Sequence, residues 1–140
     1  GMNFVAAIIL MHVPNEALAC KIFMNLLEKD KWSQNYLPST PKLFSFAQNL
    51  MECMEVSDPK LFAFFNANET PLLEIALASP LMTMFANVLP LSESTQVLTL
   101  FLLDGESFMT ELFLNLLTAM SDEIFSRAHD PFELSSYLSR

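Results

Sequence analysis

Few side chains in this sequence can do chemistry, and their spacing narrows what chemistry is open to them. There are two histidines, His12 and His129, far apart in the chain. Neither belongs to an H-x-x-x-H or H-E-x-x-H pattern, and no Cys/His cluster accompanies them, so zinc finds no ligand set. His129-Asp130-Pro131 reads as a helix cap ahead of a proline. Glu52 and Glu55 lie three residues apart, a spacing that places both carboxylates on one face of a helix. They would serve as a ligand pair or as acid and base, but a solvated acidic face is what the pattern favours. No G-x-S-x-G, P-loop or G-x-G-x-x-G is present, and two glycines, Gly1 and Gly105, are too few to fold a backbone around a phosphate. The residues themselves assign no catalytic group, no metal ligand and no cofactor.

Cys20 and Cys53 form no C-x-x-C and no disulfide framework. Both fall in apolar helical patterns, where a free cysteine acts as a small hydrophobe, and a reducing interior compartment is the expected setting. Met51, Met54, Met82 and Met84 sit at core positions. They read as core filler, with a plastic binding groove as the alternative.

The positioning elements follow from composition. The 140 residues suit one domain, and 52% hydrophobic against 16% charged is greasy enough that some apolar surface is expected to face a partner. The net charge of -9 is uneven. Residues 1–70 hold five Lys/Arg against seven Asp/Glu, whereas residues 71–140 hold Arg127 and Arg140 against nine acids. Such a second half repels nucleic-acid backbones and suits either solvent or a basic partner. Phe4–Met11 resembles a signal-peptide core only superficially, lacking a basic flank and being followed by Pro14-Asn15-Glu16. The longest uncharged run, Ile75–Ser92, is cut by Pro80 and Pro90, so no transmembrane segment is expected.

Glycine is nearly absent, β-branched residues are sparse, and Leu, Phe, Met and Ala recur at helical spacing. The expected fold is all-α, a compact bundle of eight or nine helices over 1–140. The first, Met2–His12, is apolar nearly all round and should be buried. Asn15 caps Glu16–Lys29, whose stripe is Ala19, Phe23, Leu26 and Leu27. Asp30–Lys42 reads as a loop holding the only tryptophan, Trp32. Leu43–Glu55 carries Leu43, Phe46, Ala47, Leu50, Met51 and Met54 on one side. Ser57-Asp58-Pro59 reads as a cap with proline at the first helical position, opening Pro59–Phe65. Thr70-Pro71 and Ser79-Pro80 repeat the device for Pro71–Ala78 and Pro80–Val88. Ser92–Leu103 stops at Asp104-Gly105. Glu106–Met120 is amphipathic through Phe108, Leu112, Phe113, Leu116 and Leu117, and Ser121–Ala128 and Asp130–Leu138 close the chain.

One resemblance extends this reading. Gly1-Met2-Asn3-Phe4-Val5-Ala6-Ala7 resembles the segment that follows the Y-x-Q motif of TBC domains, the activators of Rab GTPases, where the run reads Y-x-Q-G-M-N-x-x-A. Ala19 through Leu26-Leu27-Glu28-Lys29 is similar to the family's next helix, A-F-x-x-x-x-x-L-M-E-K. Asp58–Phe65 and Thr70–Phe85 sit where the family has the helix pair leading to W-F-x-x-x-F. Val88-Leu89-Pro90 to Asp104-Gly105 aligns without a gap on L-P-F-x-x-x-x-R-I-W-D-x-F-x-x-E-G, matching at Leu89, Pro90, Phe101 and Gly105, with Asp104 for the glutamate. Phe108–Met120 then matches the following apolar helix. The resemblance covers nearly the whole chain, but only the second lobe of the domain. Gln96, Leu98 and Thr99 depart from the arginine, tryptophan and aspartate of R-x-W-D, and Pro80-Leu81 stand where Trp-Phe open W-F-x-x-x-F. The resemblance therefore implies a divergent member.

It also implies a partner and a mechanism. A GTPase activator supplies an arginine in trans, worth about 10³–10⁵-fold in this reaction class. TBC domains insert an arginine from I-x-x-D-x-x-R and a glutamine from Y-x-Q, both upstream of G-M-N, and these 140 residues contain neither motif. The expectation is a lobe that binds a small Rab-type GTPase but is not active alone, is cytoplasmic, and works at the periphery of endomembranes. Asn3 is the residue expected beside the GTPase, its alternative role being to cap the first helix. Gly1 reads either as a native residue of a longer chain or as an expression scar before an initiator Met2. The competing function is a non-catalytic helical interaction module, a homo-oligomer that covers its exposed apolar face.

Overall fold

A computed structural model describes residues 1–68 and 71–127. Among them are eight α-helices and no strand: α1 (Met2–His12), α2 (Glu16–Glu28), α3 (Pro41–Ser57), α4 (Pro59–Ala67), α5 (Leu72–Thr83), α6 (Leu91–Asp104), α7 (Glu106–Ala119) and α8 (Ser121–Ser126). A 3-10 segment, Lys29–Tyr36, joins α2 to α3. The Thr70 cap, the His129-Asp130-Pro131 cap and the Asp130–Leu138 helix expected from sequence lie outside the described residues.

The bundle is organised around α3, which packs on α4, α5, α7 and the 3-10 segment. Its stripe behaves as its spacing demands: Leu43, Phe46, Ala47, Leu50 and Met54 are buried, and Met51 is partly buried against them. Met84 is also buried and Met82 partly so, which makes the methionines core filler. The α2 and α7 stripes turn inward similarly, except that Leu116 stays 39% exposed.

Caps set several boundaries. Asn15 Oδ1 accepts from the Leu18 N–H at 3.1 Å, and Asp58 Oδ1 accepts from the Leu61 N–H at 3.2 Å, with Pro59 opening α4. Gly105 ends α6 at φ 73°, a conformation open to glycine at little cost.

Four expectations are corrected. Asp30–Lys42 is no simple loop. Its polar composition hides Trp32, which is fully buried and drives the segment into the core. The indole lies 4.6 Å from the Phe101 ring and 6.2 Å from that of Phe46 between centroids. Such an aromatic pair adds about 0.5–1.5 kcal/mol beyond its area. Second, Pro80 does not start a helix but lies inside α5. So near the C-terminus its missing N–H deprives only the Ala76 carbonyl, one turn back. Thr83 Oγ1 donates to the Ser79 carbonyl at 2.8 Å, and α5 stops where Met84 and Phe85 turn left-handed. Third, Cys20 and Cys53 are exposed rather than packed as hydrophobes. Fourth, the first helix is buried only along Val5, Ile8 and Ile9, while Met2, Phe4, Leu10 and Met11 remain exposed.

Candidate functional site

Of the residues that carry the resemblance, Gly1, Met2 and Asn3 form the N-terminus of α1. Gly1 is the N-cap, Met2 opens the helix, and no side chain caps it. Asn3 is therefore inside the first turn and does not cap α1; its side chain is exposed. Gly1 is held against the end of α5. A Cβ there would meet the Met82 carbonyl oxygen at 2.6 Å and the Met82 Cβ at 2.9 Å, so the close approach requires glycine.

The 3-10 segment completes the wall. Tyr36 Oη donates to the same Met82 carbonyl at 2.8 Å. Burial pushes the Tyr36 hydroxyl from 10.0 up to about 12, against a smaller lowering by the neighbouring Trp32 side chain. Asn35 is buried beside it at 1% exposure. Thr40, the N-cap of α3, stands in the left-handed region at φ 43° without a side-chain cap bond. Gly1, Asn3, Asn35, Tyr36, Thr40 and Met82 all line one recess of about 410 Å³. Sequence reasoning reached Gly1 and Asn3 here but missed Asn35, Tyr36 and Thr40. Those three sit in the polar stretch that hides Trp32, and no spacing marks them.

The segment's position rests on a second network. Asp30 Oδ2 accepts from the Glu106 N–H at 2.7 Å. Lys29 Nζ donates to the Leu102 carbonyl at 2.8 Å. Lys42 Nζ pairs with Glu106 Oε2 at 2.6 Å, with both side chains mostly shielded. Together these tie the start of the 3-10 segment and the first turn of α3 to the junction of α6 and α7.

The other candidates stay apart. Glu52 and Glu55 are exposed on α3, as a solvated face should be. His12 Nε2 is 3.0 Å from Thr95 Oγ1. That hydroxyl donates to the Leu91 carbonyl at 2.7 Å, so it accepts from the imidazole. Among the described residues no group of three or more His, Cys, Asp or Glu is placed to hold a metal. Of the altered positions on α6, Leu98 is buried in the core, while Gln96 and Thr99 face outward. Among the described residues no helix is long and apolar enough to cross a membrane.

Comparison with curated proteins and with solved structures gives no match. A family model does match: that of the Rab-GTPase-TBC domain, over residues 1–125. Helical among its described residues and matched over 1–125, the chain belongs to the Rab-GTPase-TBC domain family.

Proposed function

We propose that this chain is the second lobe of a TBC domain, that it contacts a small Rab-type GTPase around the N-terminus of α1, and that it does not accelerate GTP hydrolysis alone. The family match over residues 1–125 carries the reading. Two observations support the place of contact. Asn3 is exposed in the first turn of α1, and Gly1-Met2-Asn3 is held in position by Met82 and the 3-10 segment rather than left as a loose end. The lack of activity follows from chemistry. Hydrolysis by a small GTPase is slow because charge develops on the phosphates and water is poorly placed. The remedy is an inserted cation, and these 140 residues hold neither I-x-x-D-x-x-R nor Y-x-Q. The setting is cytoplasmic, at endomembrane surfaces where Rab GTPases work.

Single-turnover hydrolysis across a panel of GTP-loaded Rab GTPases tests the reading. Rates with saturating chain should equal the intrinsic rates; robust acceleration by the 140 residues overturns it.

A second reading has its own observation. Met2, Phe4, Leu10 and Met11 of α1, with Leu18 and Met24 of α2, are exposed large hydrophobics. A homodimer that covers them is a non-catalytic interaction module. Sedimentation separates the two readings: a dilute, well-behaved monomer speaks against the dimer.

A further inference from the structure

We propose that Thr40 is a phosphoacceptor for a proline-directed protein kinase, presented by the strained turn 37–41 between the 3-10 segment and α3. The assignment goes beyond GTPase contact and does not depend on it.

The first observation is spacing. Three prolines directly follow a hydroxyl side chain, in Thr40-Pro41, Thr70-Pro71 and Ser79-Pro80. A kinase cleft that reads the residue after the acceptor can select proline there, because the ring fixes φ and brings no N–H in need of a partner. Only Thr40 also has a proline two residues before it, in Pro38-Ser39-Thr40-Pro41. Flanking prolines bias such a stretch toward the extended backbone that a kinase cleft binds.

The second is presentation. Leu37 is 51% exposed. Pro38, Ser39 and Pro41 are exposed and Thr40 is half-buried. The Thr40 hydroxyl makes no cap bond to α3. Ser79 differs on both counts. It lies inside α5, and its hydroxyl accepts from Asn87 Nδ2. Its backbone becomes extended only if the helix unwinds.

The third is the backbone of the turn. Ser39 stands at φ 66° and Thr40 at φ 43°. Neither is a glycine. Thr40 is β-branched and precedes a proline, and each of these disfavours the left-handed region. Such strain persists only where the surroundings hold it. The holding contacts lie at the two ends. Tyr36 is bonded to the Met82 carbonyl, while Lys42 is paired with Glu106 and Leu43 is buried. Between them the Thr40 N–H closes the turn on the Leu37 carbonyl at 3.0 Å. Opening the turn releases the strain and leaves the core intact, so it costs less than unfolding the chain.

In the transfer, Thr40 Oγ1 attacks the γ-phosphorus of ATP. The new O–P bond forms as the bond to the bridging oxygen breaks, ADP leaves, and the hydroxyl proton passes to the aspartate of the kinase. The product carries about -1.5 to -2 added charge. Thr40 lines the recess together with Gly1, Met2 and Asn3. The modification thus resets the charge of the face that presents Asn3.

The test incubates the full chain with ATP and an active proline-directed kinase of the mitogen-activated class, and locates the phosphate by fragment mass spectrometry. A synthetic peptide of residues 34–46 runs in parallel. The folded chain should take phosphate on Thr40 at a rate within about a hundredfold of the peptide's, the cost of a local opening. Ser79 should take none. Pro41→Ala in the peptide should slow the transfer by about tenfold or more, through loss of the ring. The site is read on the natural chain, so the result requires no variant to fold. Phosphate on the peptide but not on the chain overturns the proposal, since the turn then stays closed. So does phosphate on neither, or a peptide rate that Pro41→Ala leaves unchanged. Phosphate on Ser79 as well as Thr40 also overturns it, because global unfolding then supplies the acceptor.

Discussion

At the scale of single residues, three side chains set the shape of the site from a distance. Trp32 anchors the 3-10 segment, Asp30 pins it to the start of α7, and Tyr36 ties it to Met82. Gly105 is the point where this arrangement is least forgiving. Its φ is 73°, and an added Cβ would run into Asp30 Oδ2. Gly105→Ala should therefore destabilise the chain by about 1–3 kcal/mol, measured by urea unfolding, through backbone strain and displacement of Asp30. Tyr36 makes a prediction about pH. Its hydroxyl titrates at about 12 in the folded chain against 10.0 ordinarily. Between those values the folded chain keeps a proton that the unfolded chain has released. Stability from this group is thus full below pH 10 and falls as pH rises toward 12, by about 2–3 kcal/mol. Urea unfolding from pH 8 to 11.5 should show the fall, and Tyr36→Phe should flatten it to the slope left by other groups.

At the scale of elements, caps and prolines determine where helices start. Asp58 accepts from the Leu61 N–H and also from Thr118 Oγ1 on α7, at 3.3 Å. Asn15 accepts from the Leu18 N–H at its own helix start. Both caps should cost about 0.5–2 kcal/mol on replacement by alanine, with Asp58→Ala the larger because it also loosens α4 from α7. Paired thermal melts check the order. These caps were legible because short polar side chains before Pro59 or Glu16 have one efficient use. Gly105 was legible for the same kind of reason. Pro80 was not, because Ser79-Pro80 has the same local chemistry whether it opens a helix or sits in the last turn of one. What decides is the Thr83 bond to Ser79 and the left-handed turn at Met84, and both depend on packing. The segment 30–36 was hidden by its polarity. One buried indole outweighs seven residues of loop-like composition, and hydrophobic periodicity carries no signal from a single aromatic. Its two left-handed residues, Asp30 and Lys31, lack the glycine that usually announces such a turn.

At the scale of the whole molecule, α3 is the axle and α1 the open side. The core behind Val5, Ile8 and Ile9 is complete, yet Phe4, Leu10 and Met11 face outward on the same helix. That distribution is what an apolar helix shows when a further surface covers it. The fold class was legible from composition, and the family from Gly1-Met2-Asn3 and the run ending at Asp104-Gly105, where backbone geometry restricts the residue choice. The wall of the recess was not, because Asn35, Tyr36 and Thr40 become neighbours of Gly1 only through tertiary structure. The central claim is that the N-terminal end of α1 is a GTPase-contact surface. The most direct measurement is the affinity of the chain for GTP-analogue-loaded Rab GTPases, compared between the natural chain and Asn3→Arg, with thermal melting as the folding control. Saturable binding to at least one GTPase is expected, with a loss of about tenfold or more on the substitution, as for a residue at the centre of an interface. Binding that Asn3→Arg leaves unchanged, or no binding across the panel, would contradict it.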